Sequence, residues 1–256
     1  LKELLKDPMT AVTRGSTYDN VVNLAPGYIE RMRRKYEGTR LGRQELYAEI
    51  LEDTPGALWT HALLESSRVR HHPQFSRLVV AIDPAVTSGE NADDTGMIVA
   101  AAGEDGRFYV LRDLTCHLSP AAWARRAINA YRTYRADRIV AEVNNGGDLV
   151  EVTLRTIDPR APYSAVHASR GKRTRAEPVA ALYEQGMVRH VVGFDGASSK
   201  ELDELEREMC NFVPGALDRS PDRVDALVWA LTELAFEEHQ EERLVFYEDP
   251  VRISPY

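Results

Sequence analysis

The sequence predicts an α/β domain on a mixed sheet, with three antiparallel strands first, parallel strands after them, and flanking helices. A helical extension precedes it. Three observations carry this. The apolar run over residues 78–82 ends abruptly at Asp83-Pro84; it reads as a strand buried on both faces, stopped by a residue with no amide hydrogen to give a ladder. Two more strand-like runs follow, residues 95–102 and 107–114, with the turn-forming Gly103-Glu-Asp-Gly106 between them. Strands joined by such short turns pair antiparallel. Beyond residue 119, helical periodicity alternates with short apolar runs.

Taken in order, residues 26–36 read as a helix with Pro26 in its first turn. Residues 40–52 read as a second helix, with Leu41, Leu46, Tyr47 and Ile50 as its apolar positions. The segment from Trp59 to Val69 and a His71-His-Pro73 connector complete a mostly helical section over residues 1–76. The main domain is expected over 77–240 and a tail over 241–256. Within the domain, Ser119-Pro120 opens a helix to about Arg135, with Trp123, Ala127, Ile128 and Tyr131 at helical spacing. A strand over 138–143, a helix over 148–157, a strand over 163–167 and a helix over 178–185 follow. Gly186 is the stop of the last of these. An acidic helix over 199–210 and an apolar helix from Ser220 to about Glu238 end the domain. This order of elements is the ribonuclease H-like arrangement.

Apolar residues make up 43% and charged residues 28% of 256, the balance of an ordinary globular protein. The chain starts with Leu, and is read as a piece of a longer protein. Its two cysteines, Cys116 and Cys210, have no metal-ligand or disulfide-framework spacing and read as reduced and buried. No apolar run approaches the ~20 residues that span a bilayer. A net charge of −8 argues against nucleic acid only as an average. Basic residues cluster at 31–35, 125–138 and 170–175, while acids gather at 200–208 and 237–249.

The acids that matter interrupt apolar surroundings. Asp83 ends a buried strand, where open α/β sheets carry their sites; alone it reads more readily as an N-cap or turn aspartate. Glu142 lies inside the apolar strand Ile139-Val-Ala-Glu-Val143, where an unpaired charge costs several kcal/mol. Asp222 and Asp225 lie three apart on one helix face, just ahead of the apolar stretch Ala226-Leu-Val-Trp-Ala-Leu231. The ribonuclease H-like arrangement brings these strand ends and this helix start together. Carboxylates so crowded raise one another's pKa unless a counter-ion intervenes. Mg²⁺ or Mn²⁺ suits oxygen ligands of this kind, and two such ions ~4 Å apart can drive phosphodiester hydrolysis.

With those residues in view, the whole chain resembles the large terminase subunit of tailed bacteriophages, a DNA-packaging motor. The resemblance rests on Ile82-Asp83-Pro84-Ala85, on Glu142, and on Asp222-Arg-Val-Asp225-Ala-Leu227. Earlier in the chain it rests on Gly15-Ser-Thr-Tyr-Asp-Asn20, Gly42-Arg-Gln-Glu45 and Ala57-Leu-Trp59, similar to the segment linking motor ATPase to nuclease. It implies a metal-dependent endonuclease that cuts concatemeric viral DNA, largely without sequence preference. Asp83 would bridge two metal ions, Glu142 and Asp222 would each hold one, and Asp225 would assist. Asp93 or Asp94, with Asp93 favoured by the family pattern, would add a further ligand. The family's ATPase loop, G-x-x-x-x-G-K-S/T, is absent from the sequence, so no ATPase activity is expected.

Arg170, Lys172, Arg173 and Arg175 are expected in a loop before the helix at Pro178, where they would neutralise DNA phosphates. Double-stranded DNA is the expected substrate, with the portal and small terminase subunit as partners, at the viral procapsid in the host cytoplasm. A membrane partner is not expected. Two alternatives stand: a junction-resolvase-like nuclease of the same fold, and a non-catalytic docking module of the packaging motor.

Overall fold

The structure, a computed structural model, describes residues 9–11, 13, 15–25, 27–36, 46–47, 54–84, 94–143, 147–167, 171–198, 200–215 and 220–236. Its strands are β1 (Arg68–Val69), β2 (Phe75–Asp83), β3 (Gly96–Gly103), β4 (Phe108–Asp113), β5 (Arg138–Glu142), β6 (Tyr163–Val166) and β7 (Val188–Val191). Its helices are α1 (Tyr28–Tyr36), α2 (His61–Ser67), α3 (Pro120–Tyr134), α4 (Gly147–Ile157), α5 (Lys172–Glu184), α6 (Asp203–Asn211) and α7 (Asp222–Phe236).

Among the described residues seven strands form one sheet in the order β1-β7-β4-β3-β2-β5-β6. The expected antiparallel meander is β2-β3-β4. Parallel pairing extends it on one side through β5 and β6, and on the other through β7 and β1. Two apolar layers sandwich the sheet. On one face Val79, Ala81, Ala100 and Val140 pack against α2, α5, α6 and α7, with Trp59 fully buried among them. On the other, Val80, Ile82, Val99 and Ile139 pack against α3 and α4. Alternation along β2 and β5 thus assigns odd residues of β2 and even residues of β5 to the α7 face.

Two elements depart from expectation. The strand β7 lies beyond Gly186, where no strand was expected. Its pattern is Val-Arg-His-Val, and the polar His190 fills a fully buried position because Tyr183 and Glu206 satisfy both ring nitrogens. The second departure is the start of α5, at Lys172 rather than Pro178, so Lys172, Arg173 and Arg175 lie in the helix and not in a loop. Pro178 sits inside the helix, and three cations, Lys172, Arg173 and Arg175, occupy its first turn, the end that the helix dipole makes unfavourable for them. Both features argue against a helix start when only local preference is weighed.

Smaller differences are local. Ser119 holds the cap position of α3 without a side-chain capping bond, and Pro120 is at the first turn as expected. The boundary drawn at residue 77 falls within β2, and β1 joins the sheet edge from the section before it. Of the helix expected over 40–52, Leu46 and Tyr47 are described and helical; the rest lies outside the described residues. So does the tail over 241–256. Cys210 is buried, with its Sγ 3.3 Å from His61 Nδ1, and Cys116 is half-buried; neither forms a disulfide.

Helix α7 is fixed at both ends. Near its C-terminus the buried Glu233 carboxylate pairs with Arg77 of β2 and, at 3.2 Å, with Arg138 of β5. Its first turn rests on β3 at Gly96, where an added Cβ would lie 1.9 Å from the Asp222 carbonyl oxygen. Only a residue without a side chain allows that approach. Gly96 is also the residue paired with Asp83 across β2 and β3, so α7 starts over the end of the central strand.

Candidate active site

Asp83 and Glu142 are brought together by parallel pairing. The register between β2 and β5 places Ile82 beside Ala141. One step further, Asp83 and Glu142 end their strands side by side, both on the face that α7 covers. Adjacent strands lie ~4.8 Å apart, so the two carboxylates are neighbours by construction.

From above, the first turn of α7 contributes Asp222 and Asp225, which are 9% and 4% exposed. Asp225 donates its amide to the Pro221 carbonyl at 2.8 Å, which seats that turn. The Asp83 pKa is raised well above the usual carboxylate range. Burial is the largest cause, and the charges of Asp225, Glu142 and Asp222 add to it, while Lys172 works against them. Each of the other three acids therefore acts on Asp83. Burial also raises the Asp225 pKa, partly offset by Lys172 and Arg175.

Two cations from α5 enter this cluster. Lys172 Nζ meets Asp225 Oδ2 at 2.5 Å. Arg175 donates to Glu142 Oε2 at 3.0 Å and approaches Asp225 Oδ1 at 3.7 Å. Its guanidinium lies 4.6 Å from the Trp229 ring centroid, and the Trp229 indole donates to the same Glu142 oxygen at 2.8 Å. Among the described residues the buried Arg175 Nε finds no hydrogen-bond partner, a cost of about 1–3 kcal/mol. The residue is thus placed there against part of its own hydrogen-bonding preference.

Beside the cluster, Arg223 pairs with Asp113 at 3.0 Å and approaches Glu208 and Asp94 at 3.7 Å. Glu208 accepts the Val224 amide at 2.9 Å and so caps α7 from outside. Burial, helped by Asp222 and Asp113, pushes its pKa to about 7 against the pull of that amide and of Arg223.

The structure therefore brings together Asp83, Glu142, Asp222 and Asp225, and adds Lys172 and Arg175 to them. Arg173 lies elsewhere, 70% exposed and paired with Glu177 one turn on. Asp93 and Arg170 lie outside the described residues. Sequence reasoning missed Trp229, whose place in an apolar stretch marked it as core, and Gly96, Glu208 and Arg223. Only Gly96 carried a signal: a glycine opening an otherwise apolar strand suggests close backbone approach.

The donor set suits a hard divalent ion: carboxylates only, with the pKa values of Asp83 and Asp225 both raised, chiefly by burial. Among the described residues, however, no group of three His, Cys, Asp or Glu side chains stands close enough to grip an ion. Lys172 and Arg175 stand on two of the carboxylates instead.

Comparison with known proteins gives the same picture at the level of fold. The nuclease domain of the large terminase subunit of bacterial virus Sf6 superposes with a TM-score of 0.53 at 14% identity, covering 68% of this chain and 98% of that one. The large terminase nuclease of thermophilic phage G20c gives 0.50 at 13%, covering 70% and 99%. A Mn-soaked, inhibitor-bound human cytomegalovirus terminase nuclease domain gives 0.51 at 17%, covering 69% and 94%. No curated protein sequence matches. The model of the family described as the terminase RNaseH-like domain matches residues 80–234, from the second half of β2 through nearly all of α7. On that match, over more than half its length, the chain belongs to the terminase RNaseH-like domain family.

Proposed function

We propose that this chain is a divalent-metal-dependent DNA endonuclease that cuts concatemeric viral DNA during genome packaging. The observation that carries the reading is the convergence of Asp83 and Glu142, side by side on parallel strands, with Asp222 and Asp225 above them. Such crowding costs stability unless positive charge enters, and Lys172 and Arg175 supply only part of it. Mg²⁺ or Mn²⁺, two ions in the full site, would supply the remainder and polarise the scissile phosphodiester.

In that site Asp83, central among the acids, would be shared between the ions. Glu142 would hold one from β5, and Asp222 the other from α7, with Asp225 adding a further carboxylate. Asp93 is a further proposed ligand. Lys172 and Arg173, together with Arg170, would face the phosphate backbone of double-stranded DNA, whereas Arg175, only 10% exposed, is held on Glu142. Phosphate contacts fix position without reading bases, so cleavage is expected to be sequence-nonspecific. The portal and small terminase subunit are the proposed partners, at the procapsid in the host cytoplasm. Among the described residues no helix is long and apolar enough to cross a membrane.

The test is plasmid nicking and linearisation with Mn²⁺ or Mg²⁺, wild type against Asp83→Asn. Cleavage by the wild type and its loss in the variant is the expected result; cleavage that survives the substitution sinks the site assignment. One observation favours a non-catalytic docking module: no ion-gripping group of three among the described residues. Under that reading Mn²⁺ leaves the melting temperature unchanged, whereas an ion that binds the folded state raises it.

A further inference from the structure

Lys172 and Arg175 lie three residues apart in the first turn of α5 and so share a face. They are held in different ways. Lys172 Nζ rests on Asp225 Oδ2 at 2.5 Å and Ser220 Oγ at 3.1 Å, and its side chain is 40% exposed. Arg175 is only 10% exposed and is stacked on Trp229. Its Nη1 and the Trp229 Nε1 converge on one oxygen, Glu142 Oε2, at 3.0 and 2.8 Å.

Those geometries suit different tasks. Lysine is a compact charge on a flexible stem, able to leave one oxygen for another; a stacked planar guanidinium is not. An ammonium on a carboxylate oxygen occupies the lone pairs that an ion would use. By contrast, donors that fix one oxygen of a metal-binding carboxylate set its orientation and support its affinity.

We infer that two cations in the first turn of α5, Lys172 and Arg175, have opposite tasks. Arg175, together with Trp229, is a positioning residue that orients Glu142 for a divalent ion. Lys172 is a removable counter-cation that yields Asp225 to that ion and turns to DNA phosphate. This rests on the nuclease reading above. It also separates itself from two simpler accounts. If both cations merely repelled an incoming ion, removing either would tighten ion binding. If both merely supported the fold, removing either would loosen it.

The experiment is calorimetric titration of Mn²⁺ into the DNA-free protein, comparing wild type with Lys172→Gln, Arg175→Gln and Trp229→Phe. Trp229→Phe keeps a ring for Arg175 to stack on but removes the donor to Glu142, so it tests the positioning role even if Arg175→Gln fails to fold. The expected result is that Arg175→Gln and Trp229→Phe each weaken Mn²⁺ binding by about tenfold, while Lys172→Gln tightens it. Shifts of the same sign in Lys172→Gln and Arg175→Gln, or an unchanged affinity in Trp229→Phe, overturn the division of tasks. A wild type that binds no Mn²⁺ overturns the nuclease reading itself, together with what rests on it.

Discussion

Two buried charged clusters sit on the same face of this sheet, and they are built on opposite terms. One lies under α6, where Arg68 bonds Glu206 and Asp203, and Glu206 bonds His190, whose other ring nitrogen meets the Tyr183 hydroxyl. The other is the Asp83 cluster under the start of α7. In the first, burial pushes the Glu206 pKa up, but hydrogen bonds and charge from His190 and Arg68 outweigh it and hold it at about 2. In the second, burial and neighbouring acids drive the Asp83 pKa up, and Lys172 opposes them without prevailing. The α6 network satisfies its charges internally and so ties α5, α6, β1 and β7 together. At the end of β2, among the described residues, burial and the charges of Asp225, Glu142 and Asp222 outweigh Lys172 at Asp83, which is a cost to folding that a ligand of opposite charge can relieve.

The largest effect that separates the two regions should come from Glu206→Gln. Removing one partner of a buried ion pair typically costs about 3–5 kcal/mol, and urea denaturation should show a loss of that order. The pH dependence carries the same sign. Because the folded-state pKa of Glu206 is depressed, its stabilisation is fully present above the ordinary value of 4.5 and is lost as pH falls toward about 2. Glu206→Gln should therefore flatten the acid limb of the stability curve; an unchanged acid limb would show that the network contributes no linkage.

Gly96→Ala should come next. Its new Cβ would meet the Asp222 carbonyl oxygen at 1.9 Å, so the first turn of α7 must shift. Overpacking of this kind usually costs about 1–3 kcal/mol. Here it should also weaken Mn²⁺ binding, because Asp222 and Asp225 move away from Asp83. A variant that loses stability but keeps wild-type Mn²⁺ affinity would detach the site from this helix seat.

Asp83→Asn should move stability the other way. A raised folded-state pKa means that ionised Asp83 opposes folding, and this grows as pH rises above the ordinary carboxylate value of 3.8. Scanning calorimetry at neutral pH should find the metal-free variant melting above wild type. Unlike wild type, it should gain little on adding Mn²⁺. A lower melting temperature would mean that Asp83 supports the fold, like Glu206, rather than straining it.

Arg173→Gln should do least to the fold. Its exposed pair with Glu177 is worth about 0.3–0.5 kcal/mol at most. It should instead make DNA binding less steeply salt-dependent, by roughly one counter-ion's worth of slope.

Much of this contrast could be read from the chain, and the unread part has physical causes. Asp83 and Glu142 were legible because each interrupts an apolar strand, and Asp222 and Asp225 because an apolar helix follows them. Their meeting follows from strand order and register, which periodicity alone does not supply. The α6 network was invisible for the opposite reason: His190 and Glu206 look like surface residues until their partners are known, and so β7 was missed. Lys172 and Arg175 stood out as charges, but not as the first turn of a helix, since a helix N-terminus disfavours cations. Trp229 looked like core, which it is; the direction of its indole N–H, toward Glu142, exists only in three dimensions.

The central claim is that the unbalanced cluster is a seat for divalent ions. The most direct measurement is a crystal of this chain soaked in Mn²⁺ and examined by anomalous scattering. The account predicts density among Asp83, Glu142 and Asp222, with Lys172 moved off Asp225 and Arg175 still stacked on Trp229. Soaked crystals with no anomalous density among those carboxylates, and with Lys172 still on Asp225, would contradict it.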